Sequence, residues 1–328
     1  MTRFSVVIPT RNRPVEFDRA LRSVLAQEGA SLEVIAVIDG ASDADLAAYR
    51  QLDAAADPRV RLHPLPQRAA GHGPSFSRNT GAALAQGDYL AFLDDDDVWD
   101  DPQHLQRCAT SLQTSATRVD LFLADQQAVF HDGRLPTEPL WIRGAERFAS
   151  GPVDAAGSRP IGADGLLKLP GFAHLNCSIY RRSFFETLGG LDESLRYEED
   201  RDIFLRAIDV ADGILFNPSV VARHHIPNRL GTDNASTLVG ALEKKLYQLR
   251  LFDKAILGAR TPGIRRYAQR AKGYELKHIA QMLTQTGRFG DALFYMRESL
   301  MISFSIKALV WTLWLALRAS TARSATSA

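Results

Sequence analysis

Short apolar runs alternate with amphipathic stretches over the first 65 residues. Phe4-Ser5-Val6-Val7-Ile8-Pro9 is rich in β-branched residues and closed by proline, the mark of a first strand. After the polar loop Thr10-Arg11-Asn12-Arg13, Pro14 opens a helix through Leu21, Val24 and Leu25. Glu33-Val34-Ile35-Ala36-Val37-Ile38 predicts a second, buried strand, and Ser42 or Asp43 can cap a helix reaching to about Asp53. Val60-Arg61-Leu62-His63 alternates as a third strand. Strand, helix, strand, helix, strand in that order predicts a parallel α/β sheet with right-handed crossovers.

The same punctuation continues. A helix is predicted over 75–86, and then Gly87-Asp88 turns into Tyr89-Leu90-Ala91-Phe92-Leu93, a strand covered on both faces. Pro102 precedes a helix over 104–112, and a strand follows over 119–123. Residues 131–170 are rich in Gly and Pro and predict a long loop region. A strand over 175–180, a short helix over 182–188 stopped by Gly189-Gly190, and an amphipathic helix over 198–211 come next. Residues 213–221 close the strand-forming part. Beyond it only helices are predicted, over 238–252, 264–284 and 291–300, so the expected organisation is an α/β domain over 1–230 and a helical extension over 231–328.

Composition adds one thing to this picture. The total charge is +1, but from Glu243 onward 15 Lys and Arg face 5 Asp and Glu, leaving the preceding part with 24 against 33. An acidic first domain and a basic extension without a nucleic-acid-reading motif exclude nucleic acid from the expected partners. Cys108 and Cys177 cannot build a disulfide framework and read as buried free thiols in a reducing, cytoplasmic setting. The first apolar run is too short for the hydrophobic region of a signal peptide. Near the other end, residues 302–317 are strongly apolar, with Lys307 inside and Trp311 and Trp314 among them. That is short of the roughly 20 residues a span needs. It suits a helix lying at the anionic inner leaflet, with a buried C-terminal helix or a dimer contact as the alternatives.

The chemistry concentrates at Asp94-Asp95-Asp96-Asp97, directly after the buried strand. Each close pair of carboxylates costs about 1 kcal/mol in water and about 4 kcal/mol near a partly desolvated surface. No Lys or Arg lies between Arg78 and Arg107 to offset them. A divalent cation with a taste for hard oxygen ligands, Mn²⁺ or Mg²⁺, is the simplest remedy. Asp39 ends the second strand, and in a parallel sheet it shares an edge with the four. Two carboxylate positions and a cation on one edge suit a nucleotide diphosphate.

In order along the chain, Ser5-Val6-Val7-Ile8-Pro9-Thr10-Arg11-Asn12-Arg13, Val34-Ile35-Ala36-Val37-Ile38-Asp39-Gly40, Ser77-Arg78-Asn79, the 87–99 segment with its four aspartates, Gly189-Gly190-Leu191-Asp192-Glu193 and Glu199-Asp200-Arg201-Asp202 resemble the inverting family-2 glycosyltransferases of the GT-A fold. The resemblance covers about the first 230 residues. It implies a mostly parallel Rossmann-like central sheet flanked by helices. It implies a nucleotide-sugar donor, a UDP-sugar first, and a glycan or lipid-linked saccharide acceptor, as in cell-surface polysaccharide synthesis. Pro9, Arg11, Asp39, Arg78, Asp94 and Asp95 fall on the donor side, Asp39 at the base, Arg78 at base and phosphates, Asp94 nearer the ribose. Asp96 falls on the metal, together with a histidine after the last strand, where His225 is preferred over His224 by its spacing to Asn228. Asp200, beside Glu199, falls on the catalytic base that takes the proton of the acceptor hydroxyl. His63 and His72 receive no role.

Two other readings compete. A sugar-phosphate nucleotidyltransferase would need a glycine-rich phosphate loop after the first strand, and residues 9–14 contain no glycine. An inactive shell tethering partners at a membrane would have lost its acidic positions, yet Asp39, Asp96 and Asp200 are present.

Overall fold

The computed structural model describes residues 2–137, 140–226 and 239–326. The chain divides into two compact units, Met1–Asn234 and Ala235–Ala328. Asn228 and the boundary expected at residue 230 lie outside the described residues.

The first unit is built on one sheet. Strands β1 (Arg3–Thr10), β2 (Ser31–Ile38), β3 (Val60–Pro64) and β4 (Tyr89–Phe92) run parallel in the order β3-β2-β1-β4. The order continues through β8 (Ser178–Arg181), β6 (Leu121–Phe130), β9 (Ile214–Ile226) and the two-residue β5 (Val98–Trp99), while β7 (Arg159–Pro160) pairs with β9. β8 runs antiparallel to both β4 and β6, β6 and β9 are parallel again, and the short β5 and β7 are each antiparallel to β9. The carboxyl ends of β1, β2, β4, β6 and β9 therefore share one edge. The chain is a mixed α/β fold with helices on the sheet and a helical C-terminal unit.

Helix α1 (Pro14–Leu25) starts on its proline and buries Phe17, Ala20, Leu21 and Val24, one face at helical spacing. These meet Val6, Ile8, Val34 and Ala36 in the main core. Helix α2 (Asp43–Arg50) is capped by the Ser42 hydroxyl, which accepts from the Asp45 N–H. Helix α3 (Pro74–Leu84) lies tight on β1 because Gly81 has no side chain. A Cβ there would stand 2.3 Å from Val7 Cγ1. That close approach sets the depth of Arg78, one turn earlier. Helix α4 (His104–Thr114) buries Cys108, and both cysteines are free and buried.

Several segments differ from the pattern expected of them. β9 runs to Ile226, so His224 and His225 lie in the last strand and not after it, and β6 continues past 123 to Phe130. Residues 175–180 are not one strand: Leu175–Cys177 form a 3₁₀ turn, its start capped by the His174 imidazole accepting from the Asn176 N–H, and β8 begins only at Ser178. Their apolar run reflects burial, which is common to both shapes. Residues 131–170 hold a 3₁₀ turn at Ala145–Arg147, β7, and one helical turn, α5 (Ala163–Leu166). Helices α6 (Arg182–Thr187) and α7 (Glu199–Val210) complete the unit.

The second unit contains α8 (Ala241–Gly258), α9 (Pro262–Gln285), α10 (Phe289–Ile302) and α11 (Ile306–Thr326). Ile279, Leu283, Ala292, Met296, Ala308 and Leu315 form its core. The apolar run over 302–317 is not one helix. Ser303 is extended, and Ser305 accepts from the Ala308 N–H to begin α11 afresh. Among the described residues, no helix is long and apolar enough to cross a membrane.

Candidate active site

The edge where β1, β2, β4 and β9 end gathers the acidic residues. Asp94 to Asp97 leave β4 as a tight turn in which the Asp97 N–H reaches the Asp94 carbonyl at 3.1 Å. Carboxylate oxygens of Asp94, Asp96 and Asp97 lie within 4.8 Å of one another. Like charges this close must be separated by partners, and each finds a different one. Arg78, from α3, binds Asp94 and, at 3.0 Å, Glu199. Arg13, from the loop after β1, lies 3.2 Å from Asp95 and 3.0 Å from Asp96. The Thr10 hydroxyl donates to Asp95 at 2.8 Å.

Asp97 is wholly buried and the most heavily tied. Its Oδ2 accepts from Asn176 Nδ2 and, at 2.7 Å, from His224 Nδ1, and its Oδ1 accepts from the His225 N–H at 2.7 Å. Asn176 also receives the Asp94 N–H on its own Oδ1 at 3.1 Å, so one side chain holds both ends of the turn.

These partners pull the acidities apart. Burial pushes Asp95 up to about 7 and Asp96 up to about 6, the neighbouring aspartates adding to it and Arg13 opposing it. Burial acts the same way on Asp97, yet His224 outweighs it and holds Asp97 well below the usual carboxylate range. Against its own burial, His224 is raised to about 9 by Asp97. It is therefore cationic at neutral pH, with Nδ1 donating to Asp97.

A divalent cation fits this donor set. Asp96, with 24% of its side chain exposed, and Asp94, with 20%, present hard oxygens at the surface of the turn. Asp97 has one oxygen already filled by two donors and acts more as a strut. His225 stands outside the three-carboxylate group: its Nδ1 is 3.6 Å from Asp97 Oδ1 and accepts no hydrogen bond.

The second acidic cluster opens α7. Glu198 takes a left-handed φ of 66°, uncommon for a side-chain-bearing residue, and sends Glu199 and Asp200 into the first turn. Asp200 accepts from the Arg201 N–H at 2.8 Å, and its Oδ2 is 3.5 Å from His174 Nε2. Burial first, then the charges of Glu199 and Glu198, push Asp200 up to about 8. His174 itself is lowered to about 4 by burial and by His224, so it is neutral and offers Asp200 no charge.

The donor-side residues are distributed along the same edge. Pro9 sits in β1 opposite Val37. Asp39 has both oxygens engaged, by the His72 N–H at 2.7 and 2.9 Å, by His72 Nδ1 at 2.8 Å and by the Gly73 N–H at 3.0 Å. Arg11 donates to the Ala69 carbonyl at 2.8 Å. Gly71 lies between them: with φ of +65°, a Cβ there would come within 2.6 Å of Asp39 Oδ2 and 2.8 Å of Arg11 Nη1. Arg13, His72, His174 and Asn176 thus lie at the site without having been singled out for it, while His224, the histidine passed over in favour of His225, is the one whose ring bonds Asp97. Arg13 carried a signal, since it follows a strand that ends on this edge. The others are placed by pairing across long stretches of chain.

The comparisons with known proteins agree with this geometry. The model of "Glycosyl transferase family 2" matches residues 5–189. The chain is 39% identical over 113 residues to an uncharacterized glycosyltransferase, alr2836, of Nostoc sp., a match covering 34% of each protein. It is 29% identical over 233 residues to the succinoglycan biosynthesis protein ExoO of Rhizobium meliloti, covering 67% of this chain and 60% of that one. These matched segments thus span less than two thirds of either relative. Among solved structures, S. aureus TarS 1-349 in complex with UDP-GlcNAc superposes with a TM-score of 0.63 at 17% identity, over 92% of this chain and 81% of that chain. The mannosyltransferase PcManGT from Pyrobaculum calidifontis, in complex with GDP-Man and Mn²⁺, does so at 0.59 and 17%, over 98% and 86%. At those identities the likeness is one of fold, the GT-A fold. With acidic strand ends gathered on one edge of such a sheet, and the family model matching from β1 to beyond α6, the chain belongs to glycosyltransferase family 2.

Proposed function

We propose that this glycosyltransferase is metal-dependent and inverting, moving a hexosyl group from a nucleotide-diphosphate sugar, a UDP-sugar first, to a hydroxyl of a glycan or lipid-linked saccharide in surface-polysaccharide synthesis. One observation carries the reading. The Arg78 guanidinium joins Asp94 of the strand-end turn to Glu199, the neighbour of Asp200, so a donor held at one cluster lies beside a base in the other. The nucleotide sugars bound by TarS and PcManGT support the donor class, and ExoO supports polysaccharide synthesis.

Asp96 and Asp94, with His225 as a further ligand, would hold the cation, which when bound neutralises the diphosphate. Arg78 and the cationic His224 add positive charge for the departing diphosphate. Asp39 and Arg11, with Pro9 and Asp95 behind them, line the base and ribose side, and Asp39 must release His72 to accept from a base N–H. Asp200 takes the proton of the attacking hydroxyl. Its carboxylate, raised to about 8, is a stronger base than an ordinary aspartate and matched to neutral operation. One displacement inverts the anomeric carbon. The test is nucleotide release from a panel of UDP-, GDP- and dTDP-sugars with Mn²⁺, Mg²⁺ or chelator. Release is expected with UDP-sugars and lost in chelator; undiminished turnover in chelator removes the metal from the reading.

The helical unit supports a peripheral seat on the cytoplasmic face of a membrane. α11 buries Ala308 and Leu315 in its own unit and exposes Ile306, Val310, Leu313 and Leu317, a row at helical spacing on the other side. Lys307 and Arg318 are exposed beside that row. The surplus of 15 basic over 5 acidic residues repels a second copy and attracts anionic lipid. Sedimentation with phosphatidylglycerol vesicles, reduced by Leu313→Glu with Leu317→Glu, is expected; unchanged sedimentation rejects the seat.

A further inference from the structure

A groove opens on β6 and the segment after it, lined by Gln126, Gln127, Pro136, Leu140, Trp141 and Arg143. Gln126 follows an irregularity of the β6–β9 ladder, where the register shifts between Ala124 and Asp125 and again between Asp125 and Gln126. Such bulges re-aim side chains that regular alternation would place elsewhere. The Gln126 residue is only 2% exposed, and neither its Oε1 nor its Nε2 has a hydrogen-bond partner. A buried amide with no partner destabilises the fold. Its presence calls for a ligand that supplies both a donor and an acceptor.

Trp141 supplies a wall. Its φ of 53° is left-handed, and Gly171 accommodates the bend: a Cβ at 171 would stand 2.6 Å from the Trp141 Cα. Strain held in place by packing is a feature of ligand-binding positions. The indole meets His224 edge-on at 5.3 Å and His174 at 6.3 Å, and His174 Nε2 is 3.5 Å from Asp200 Oδ2. Arg143 is matched by Asp125, its Nε donating to Oδ2 at 2.9 Å, so that charge is already answered.

A neutral ring with an apolar C–H face for the indole, and hydroxyls that both donate and accept for the amide, meets these demands. We infer that the groove binds a saccharide ring of the acceptor, its C–H face on Trp141 and its hydroxyls on the Gln126 amide. That the ring belongs to the acceptor rests on the reading of Asp200 as the base; that the groove takes a saccharide does not.

The experiment is saturation-transfer-difference NMR of the full chain with methyl glycosides of glucose, galactose, mannose and N-acetylglucosamine at millimolar concentration. At least one binds, and its affinity falls about tenfold in Gln126→Leu and in Trp141→Ala. Trp141→Phe keeps more of the affinity than Trp141→Ala. Gln126→Leu melts at or above the unaltered protein, because an apolar isostere replaces an unsatisfied amide. A groove with only a structural role would give the opposite, a lower melting point and unchanged glycoside binding. Binding by none of the four glycosides, or binding indifferent to Gln126 and Trp141, overturns the inference. Nucleotide-sugar turnover by the unaltered protein is measured separately. Glycoside binding that depends on Gln126, without any such turnover, upholds the groove and rejects the reading of Asp200.

Discussion

Two acidic clusters of this chain face the same repulsion and resolve it by opposite means. At residues 94–97 every carboxylate has a cation within reach: Arg78 for Asp94, Arg13 for Asp95 and Asp96, His224 for Asp97. At the start of α7, Arg78 takes Glu199 and Arg201 takes Glu198, but Asp200 bonds one backbone N–H and faces a neutral imidazole, and the Arg78 charge it feels does not outweigh its burial. The outcome is a wide separation of two poorly exposed aspartates. Asp97 is held below the ordinary range and stays an anion, while Asp200 is raised to about 8 and can take up a proton. Burial works in the same direction on both. The partner decides which carboxylate is a strut and which can serve as a base.

The most severe test of this contrast is Asp200→Asn. Turnover of a nucleotide sugar is expected to fall about 10²–10⁴-fold. The same change raises the melting temperature at pH 9, and the sign follows from linkage. A carboxylate raised from 3.8 to about 8 favours the folded state while protonated, and that contribution is lost as pH climbs through about 8. Calorimetry at pH 9 beside nucleotide-release rates reads both effects, and turnover preserved in the variant would remove Asp200 as the base.

Asp97→Asn comes second. It leaves a half-buried histidine cation and two donors without their buried anion, at a cost of about 3 kcal/mol in denaturant titration. Asp96→Asn is the control within the same turn. Asp96 is raised to about 6, so a neutral side chain relieves crowding. Its stability changes by less than about 1 kcal/mol while metal stimulation is lost. Equal losses of stability in the two variants would show that strut and ligand are not divided as described.

The smallest effect is on the pH dependence of unfolding. Asp97, lowered from 3.8, stabilises above that value and loses its contribution as pH falls below it. His224, raised from 6.5 to about 9, stabilises fully below 6.5 and loses its contribution as pH rises through about 9. In His224→Gln the alkaline part of that slope is expected to flatten, as measured by urea midpoints between pH 6 and 10. A slope identical to that of the unaltered protein would mean the pair does not titrate as a unit.

Much of the fold was legible because its signals are local. β-branched runs closed by Pro9 or by Asp39-Gly40, a Ser42 cap and Pro14 at a helix start each act within one turn or one strand. The segments that misled did so for want of a local signal. Leu175-Asn176-Cys177 is apolar enough for a strand, and the capping His174 and the two hydrogen bonds between Asn176 and the acidic turn hold it as a 3₁₀ turn. In the apolar run near the end, two serines suffice to stop one helix and start another.

By itself the sequence determined the order of strands and helices, the family, and which acidic residues end strands or open a helix. Period, turn chemistry and spacing are properties of neighbours along the chain. Only the tertiary structure decided which partner each carboxylate meets and the charge state that follows. Arg78 and Glu199 are 121 residues apart, and Asp97 and His224 are 127 apart. Charge state depends on what lies within a few ångströms in space, and such partners leave no periodic trace along the chain.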